Sequence, residues 1–198
     1  MSPINRNYDN LEFLPGSARP CSPEEPVDIL LLIKSAPQNH HNRLLLRSMW
    51  ANSSYLADVG ARVKYSFLIG AKQFSQFPQQ LLDEAKTNID LIFMDFIDSY
   101  RNNTYKTIGA MKWTLENCEQ AKYIALVDDD IFLNVKNVVR FVQDPKRYPR
   151  SSWFSSAPDF SAGSKDELFA GKVRPTKDFR PHSKKVEFTA IVHSNSCL

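Results

Sequence analysis

The chain has 198 residues, of which 42% are hydrophobic and 24% charged, and this composition suits one globular domain with a real core. No apolar run approaches the ~20 residues that span a bilayer, and no apolar signal core is visible, so we expect no membrane span in this chain. The net charge of +3 comes from residues 164–198, where a solvated basic tail is favoured over a nucleic-acid surface, and we expect no nucleic-acid partner.

The predicted elements alternate along the chain. Residues 1–26 are rich in Pro, Asn and Ser and predict an irregular leader or stem remnant. Apolar runs predict strands at residues 27–33, 63–69, 91–96 and 123–127. Helical periodicity predicts helices at residues 42–50, 77–86, 104–118 and 134–142. This order predicts an α/β fold, with a mostly parallel Rossmann-type sheet and helices on both faces.

The third helix has the clearest pattern. Its apolar stripe predicts a buried face made of Tyr105, Ile108, Met111 and Leu115. Asn102 or Asn103 could cap this helix, and Asn134 is expected to cap the last one. After residue 144 the periodicity fades, and prolines indicate loops and short edge strands.

An acidic triplet, Asp128, Asp129 and Asp130, follows directly on the fourth predicted strand. Ligands of open α/β sheets bind at the carboxyl ends of the strands. Asp128 and Asp130 point the same way in an extended chain, and two carboxylates make a hard-oxygen site for Mn²⁺ or Mg²⁺. Such an ion can neutralise the charge of a departing diphosphate. The alternative is a solvated acidic turn, but apolar residues on both sides favour a ligand site.

Two other classes fit part of this pattern. Phosphatases of the haloacid dehalogenase type carry Asp-x-Asp-x-Thr or Val after an apolar strand, with the first Asp as nucleophile. Asp128 and Asp130 fit that motif, but Phe132 stands at the Thr or Val position. The motif also normally opens its domain, whereas this triplet lies about two-thirds along the chain. A non-catalytic α/β binding module is the third reading.

Further segments carry a more specific pattern. Residues 31–37 read Leu-Leu-Ile-Lys-Ser-Ala-Pro and are followed by Arg43, Arg47 and Trp50. Phe-Leu-Ile-Gly at 67–70, Glu84, Asp90 and Asp-Phe-Ile-Asp-Ser-Tyr at 95–100 come next. Asn-Asn-Thr-Tyr-Lys-Thr at 102–107, Trp113, Cys118 and Asp-Asp-Asp-Ile-Phe-Leu-Asn at 128–134 complete the series. In this order the segments resemble glycosyltransferase family 31, the β-1,3-galactosyl- and β-1,3-N-acetylglucosaminyltransferases, over about residues 21–188. Met49 stands where the family usually has Thr.

The resemblance implies a GT-A fold and an inverting hexosyltransferase. The donor would be a UDP-sugar carrying galactose or N-acetylglucosamine, the acceptor a glycan on a glycoprotein or glycolipid, and the cofactor Mn²⁺ or Mg²⁺. By the same resemblance Asp130 is the chief metal ligand, and Asp128 or Asp129 faces the ribose or shares the metal. Family members are Golgi proteins with a type II anchor, which we do not find in this sequence.

Other donor-binding candidates lie around the end of the first strand. The resemblance places Ser35, Arg43 and Arg47 where the nucleotide should sit, and an arginine there could hold a diphosphate oxygen. The alternative for both arginines is a surface helix face. Lys106 either reaches the donor phosphates or pairs with Asp98.

The resemblance weakens toward the end of the chain. Residues 183–188 lack the Trp of the corresponding family segment, and the family's later acidic motif, thought to carry the general base, is not found. We therefore expect an incomplete or degenerate member whose base is missing, with Asp166, Glu167 and Asp178 as the substitutes if transfer occurs. The expected division is a leader at residues 1–26, a donor-binding domain at 27–163 and the start of an acceptor-side region at 164–198.

The cysteines and glycosylation sequons bear on compartment. Cys21, Cys118 and Cys197 include no Cys-x-x-Cys pair, which argues against a structural zinc site. In a secretory lumen we expect a Cys21–Cys118 disulfide with Cys197 spare, and glycosylation at Asn52 and Asn102. In the cytosol all three would be free thiols.

Overall fold

The computed structural model describes residues 11–72, 79–144 and 190–193. Its strands are β1 (Val27–Lys34), β2 (Val63–Gly70), β3 (Leu91–Met94), β4 (Ala121–Asp128) and β5 (Ala190–His193). Its helices are α1 (His40–Met49), α2 (Ser53–Ala57), α3 (Gln79–Asn88), α4 (Asn103–Asn117) and α5 (Val135–Gln143), with a 3₁₀ turn at Tyr100–Asn102. The four predicted strands and four predicted helices are confirmed, with no end shifted by more than two residues. The short helix α2 was not predicted.

The strands form one sheet in the order β3-β2-β1-β4-β5. β1 to β4 are parallel, and β5 pairs antiparallel with β4, which confirms the mostly parallel α/β prediction. The chain winds outward from β1 to β3 and then crosses back to add β4 on the other side of β1. This reversal makes the carboxyl ends of β1 and β4 a topological switch point, where doubly wound sheets bind their ligands.

Helices cover both faces of the sheet. Side chains alternate along β1, so Ile29, Leu31 and Ile33 pack into the cluster that includes residues of α1, α2, α3 and α5. Leu30 and Leu32 pack on the opposite face, against α4 and the leader. This explains why β1 is an almost unbroken apolar run in the sequence.

Helix α4 buries a different face from the predicted one. Its buried residues are Lys106, Gly109, Ala110, Trp113 and Thr114. Leu115 is 48% exposed, and Tyr105 and Met111 are only partly buried. The reason is close approach: a Cβ added at Gly109 would lie 2.5 Å from Met94 Sδ and 2.8 Å from Leu11 Cδ2. The buried face of α4 is therefore centred on Gly109 and Ala110, where the helix approaches closely, together with Trp113.

The described part of the leader, residues 11–26, forms no helix and packs along β3. Leu14 N donates to Phe93 O at 2.9 Å, and Ala18 N donates to Leu91 O at 2.7 Å. The predicted Cys21–Cys118 disulfide is present and ties the leader to the residue after α4. Cys197 lies outside the described residues.

The helix caps follow the sequence in part. Asn134 caps α5 as predicted, accepting from Asn137 N at 3.1 Å. Asn102 occupies the position before α4, but its side chain donates to Ile97 O at 2.9 Å and makes no capping hydrogen bond.

Within the described ranges, no helix combines the length and the apolar character needed to cross a bilayer.

Candidate active site

The candidate site lies at the switch point, where the loop after β1 meets the turn after β4. Ser35 Oγ donates to Asp129 Oδ2 at 2.6 Å, and Asn39 Nδ2 donates to the same oxygen at 2.9 Å. These two bonds tie the β1–α1 loop to the acidic turn. The parallel register, which pairs Lys34 with Asp128, brings the two segments together.

The three carboxylates of the triplet have different surroundings. Asp129 is only 8% exposed and is held by Ser35 and Asn39. Asp128 Oδ1 lies 3.0 Å from Lys34 Nζ and stays partly exposed, and Asp130 is exposed. The triplet is therefore not a uniformly solvated turn: one carboxylate is fixed inside and two can reach a ligand.

Lys106 lies beneath the same loop. Its ammonium donates to Ser35 O at 2.6 Å and pairs with Asp98 Oδ2 at 2.9 Å. Asp98 Oδ2 also accepts from Gly70 N at 2.9 Å. Burial lowers the pKa of Lys106, and the negative charge of Asp98 opposes that shift. Of the two roles considered for Lys106, the structure shows the pairing with Asp98.

Arg43 is fully buried, so the sequence alternative of a surface helix face does not describe it. Its Nε and Nη2 donate to Glu84 at 2.8 and 2.7 Å, and Nη1 donates to Ser35 Oγ at 2.9 Å. Nη1 and Nη2 also donate to Ala36 O and Pro37 O at 2.6 and 3.2 Å. A guanidinium has five N–H donors, and all five are used. Arg43 therefore has no donor left for a diphosphate and is assigned to the internal network.

Arg47 lies one turn later and is also paired within the protein. Its Nε and Nη2 donate to the two oxygens of Asp90 at 2.8 and 2.7 Å, and its Nη2 lies 2.7 Å from Glu84 Oε1. Its guanidinium carbon lies 4.9 Å from the centre of the Phe67 ring. Burial would raise the pKa of Glu84, but hydrogen bonds from Arg43, His40 and Arg47 outweigh it and lower that pKa to about 2. This cluster joins α1 to α3 and to Asp90, the residue before β3.

The charges at the switch point leave room for a divalent cation. The region holds two ammonium groups, those of Lys34 and Lys106, and four carboxylates, those of Asp98, Asp128, Asp129 and Asp130, which leaves two negative charges in excess. Among the residues that the structure describes, no group of three or more His, Cys, Asp or Glu side chains could hold a metal by itself. Mg²⁺ is usually bound through one or two carboxylates plus substrate phosphate oxygens. The two accessible carboxylates, Asp128 and Asp130, fit that donor set.

Sequence reasoning missed four residues of this region. Asn39 and His40 were not singled out, although both follow Pro37 at the start of a predicted helix. Glu84 and Asp90 belonged to the resembling segments without a role. No local signal was available, because the acidic partners of Arg43 and Arg47 lie 41 and 43 residues further along the chain. Asp166, Glu167 and Asp178, the candidate bases, lie outside the described residues.

Comparisons with known proteins agree on one family. The galactosyltransferase family model matches residues 41–162, which is more than half of the chain. Lactosylceramide 1,3-N-acetyl-beta-D-glucosaminyltransferase A of Danio rerio is 36% identical over 125 residues, covering 61% of this chain and 33% of the relative. Beta-1,3-galactosyltransferase 1 of Homo sapiens is 31% identical over 153 residues, covering 77% and 45%.

The chain thus spans between a third and a half of the length of these relatives. The matched region runs from α1 past α5 and contains the acidic turn, Arg43, Glu84 and Lys106. The chain belongs to the galactosyltransferase family, glycosyltransferase family 31.

Proposed function

We propose that this chain forms the donor-binding part of a metal-dependent, inverting hexosyltransferase that takes galactose or N-acetylglucosamine from a UDP-sugar. The observation that carries the proposal is the pair of accessible carboxylates, Asp128 and Asp130, at the switch point of a family member's sheet. The names of the relatives include both galactosyl and N-acetylglucosaminyl transfer, which supports the donor class. The acceptor would be a glycan on a glycoprotein or glycolipid.

The three aspartates of the acidic turn have different proposed roles in binding. Asp130 and Asp128 would hold Mn²⁺ or Mg²⁺, which when bound neutralises the charge of the leaving diphosphate. Asp129 keeps the turn in place through Ser35 and Asn39. Without a cation, the excess of two negative charges repels an anionic nucleotide. Nucleotide binding by this chain should therefore depend on a divalent metal.

Transfer also needs a group that removes the proton of the acceptor hydroxyl. A positioned general base typically contributes about 10² to 10⁴ in rate, so binding and transfer are separable. We assign no base among the described residues, and Asp166, Glu167 and Asp178 remain the candidates. The second candidate function is a UDP-sugar-binding module without transfer, which differs from the first only in this step.

The compartment is also a proposal. A disulfide joins Cys21 to Cys118, and disulfides form and persist in oxidising compartments but are rare in the cytosol. This supports a secretory lumen, and family resemblance makes the Golgi the compartment we propose.

Calorimetry of purified protein with UDP, UDP-galactose and UDP-N-acetylglucosamine, each with Mn²⁺ or with EDTA, tests the binding step. We expect binding only with Mn²⁺, its loss in Asp130→Ala, and a smaller effect of Asp129→Asn. Asp58→Ala is the control, because Asp58 is an exposed carboxylate paired with Lys136. Equal UDP affinity in EDTA, or in Asp130→Ala, would contradict the metal assignment.

The same preparation, assayed with a mixed glycan acceptor library, separates the two functions. Transfer at ordinary enzyme rates supports the transferase and shows that a base is present. UDP-sugar binding without transfer by this chain supports the binding module.

A further inference from the structure

The loop between β1 and α1 is held from its inner side by Arg43. The guanidinium contacts three consecutive residues of that loop: Ser35 Oγ at 2.9 Å, Ala36 O at 2.6 Å and Pro37 O at 3.2 Å. Its other donors go to Glu84 on α3, so the loop is anchored to a helix as well as to the strand that precedes it. Because Arg43 is fully buried, the guanidinium has no solvated alternative position.

Arg43 also sets the direction of one hydroxyl. A serine hydroxyl has one donor and two acceptor positions. Nη1 of Arg43 donates to Ser35 Oγ, which leaves the hydroxyl hydrogen for Asp129 Oδ2 at 2.6 Å. The competing acceptor, Ala36 O, is 3.4 Å from that hydroxyl and already accepts from Arg43 at 2.6 Å. Ser35 is thus fixed as a donor to Asp129, in a short bond of the charge-assisted kind.

We propose that Arg43 is a positioning residue for the acidic turn, acting through Ser35 and Asp129 without touching the nucleotide. Asp129 is the middle residue of the triplet, so fixing its carboxylate fixes the backbone on which Asp128 and Asp130 are presented. The proposal rests on the proposed function, because it assigns Arg43 to the binding of metal and nucleotide by that same turn. It replaces the direct contact with diphosphate that the sequence suggested.

Arg47 provides a matched control within the same helix. It has the same side chain, lies one turn later on α1 and shares the partner Glu84. Its hydrogen bonds run to Asp90, and within the described part of the chain it makes none to the loop at residues 35–37. If the arginines only stabilise the fold, replacing either one should have the same effect on binding. If Arg43 positions the acidic turn, only its replacement should weaken binding strongly.

The test compares Arg43→Lys, Arg47→Lys, Ser35→Ala and the double variant Arg43→Lys with Ser35→Ala. The readout is the Kd for UDP in the presence of Mn²⁺, measured by calorimetry well below each variant's melting temperature. Loss of outer partners of a metal site typically costs about 10- to 100-fold in affinity, so we expect that loss for Arg43→Lys and for Ser35→Ala, and less than about threefold for Arg47→Lys. The double variant should be no weaker than the weaker single variant, because both act on one contact.

Equal losses in the two arginine variants would overturn the proposal, as would additive losses in the double variant. If Arg43→Lys does not fold, the comparison of Ser35→Ala with Ser35→Thr decides: Thr keeps the hydroxyl and should retain binding, and equal loss in both overturns the proposal. Failure of the unmodified protein to bind UDP with Mn²⁺ is a different result, since it overturns the proposed function itself and this proposal with it.

Discussion

Lys34 Nζ lies 3.0 Å from Asp128 Oδ1, and the two residues are also register partners at the ends of adjacent parallel strands. The lysine side chain is 5% exposed and the carboxylate side chain 38% exposed. A buried ammonium therefore neutralises one side of a carboxylate whose other side can reach a ligand. Any cation that binds Asp128 shares it with Lys34.

Replacing Lys34 should strengthen metal binding. Lys34→Met removes one positive charge and raises the negative excess of the site from two charges to three. Unit charges at 4 Å interact by about 1 to 4 kcal/mol in surroundings between water and protein surface, so we expect the affinity for Mn²⁺ alone to rise by roughly tenfold. Titration followed by the electron paramagnetic resonance of free Mn²⁺ measures this. Lys136→Met, which breaks a surface pair with Asp58, is the control. Unchanged or weaker Mn²⁺ binding in Lys34→Met would remove Asp128 from the metal site.

Lys106 should matter for stability through Asp98. Lys106→Met leaves the Asp98 carboxylate largely buried without its cation, and breaking a buried pair from one side typically costs about 3 to 5 kcal/mol. The double variant Lys106→Met with Asp98→Asn should recover part of that loss, because no unpaired charge remains. Urea unfolding gives the free energies. A single variant as stable as the unmodified protein would favour the phosphate-binding role instead.

Stability should fall in acid because of Glu84. Its folded-state pKa of about 2 lies below the ordinary value of 4.5. The stabilisation is therefore present above the ordinary pKa and is lost as the pH falls through the folded value. Glu84→Gln should cost about 3 to 5 kcal/mol at neutral pH, since Arg43 and Arg47 lose a buried partner. The difference in free energy of unfolding between Glu84→Gln and the unmodified protein should narrow below about pH 5. Urea unfolding at a series of pH values measures this difference. A difference that stays constant with pH would contradict the assigned pKa.

The disulfide should contribute strongly to stability. It joins residues 97 apart in the sequence, and a loop of that length is costly to close in the unfolded chain. We expect Cys118→Ser, or reduction with dithiothreitol, to lower the free energy of unfolding by about 2 to 4 kcal/mol. Cys197→Ser is the matched control, since it removes the third cysteine and leaves the bridge. A melting temperature that does not respond to reductant would contradict the bridge.

Glycosylation should reveal the compartment. Asn52 Nδ2 donates to Met49 O at 2.8 Å, and a glycosylated amide keeps one N–H, so this bond can survive modification. When the chain is secreted from eukaryotic cells behind an added signal, we expect glycans on Asn52 or Asn102, detected by peptide mapping. Ser54→Ala removes the first sequon and leaves the Asn52 cap on Tyr55 N, so it is the better control than a change of Asn52 itself. Bare asparagines together with three free thiols would argue against a luminal protein.

The strands β1 to β4 could be predicted because each is buried over most of its length and contains a run of apolar residues. Helix α4 shows where this reasoning stops. Counting large apolar residues selected Tyr105 and Leu115, but the contact with the sheet depends on Gly109, which has no side chain to count. A sequence pattern weighs side chains one at a time, whereas packing depends on how closely two backbones can approach.

The position of the candidate site could be predicted from the sequence, but the hydrogen bonds and ion pairs within it could not. The strand followed by three aspartates located it, and the Cys21–Cys118 pair agreed with the structure. The burial of Arg43 could not be read from the sequence, because its acidic partner Glu84 is 41 residues away and on another helix. An arginine at a nucleotide site and an arginine in a buried ion pair have the same local sequence, and only the distant partner distinguishes them.

The leader has a further consequence for how copies of this protein meet. Among the described strands, β3 is the last on its side of the sheet, and an unpaired edge strand is a template for pairing with another molecule. Residues 12–18 already occupy that edge, with Phe13 bridged to Met94 and Ala18 N bonded to Leu91 O. The disulfide at Cys21 fastens this segment a few residues further on. The leader thus covers the edge of β3 and hinders edge-to-edge aggregation, and the disulfide holds it there.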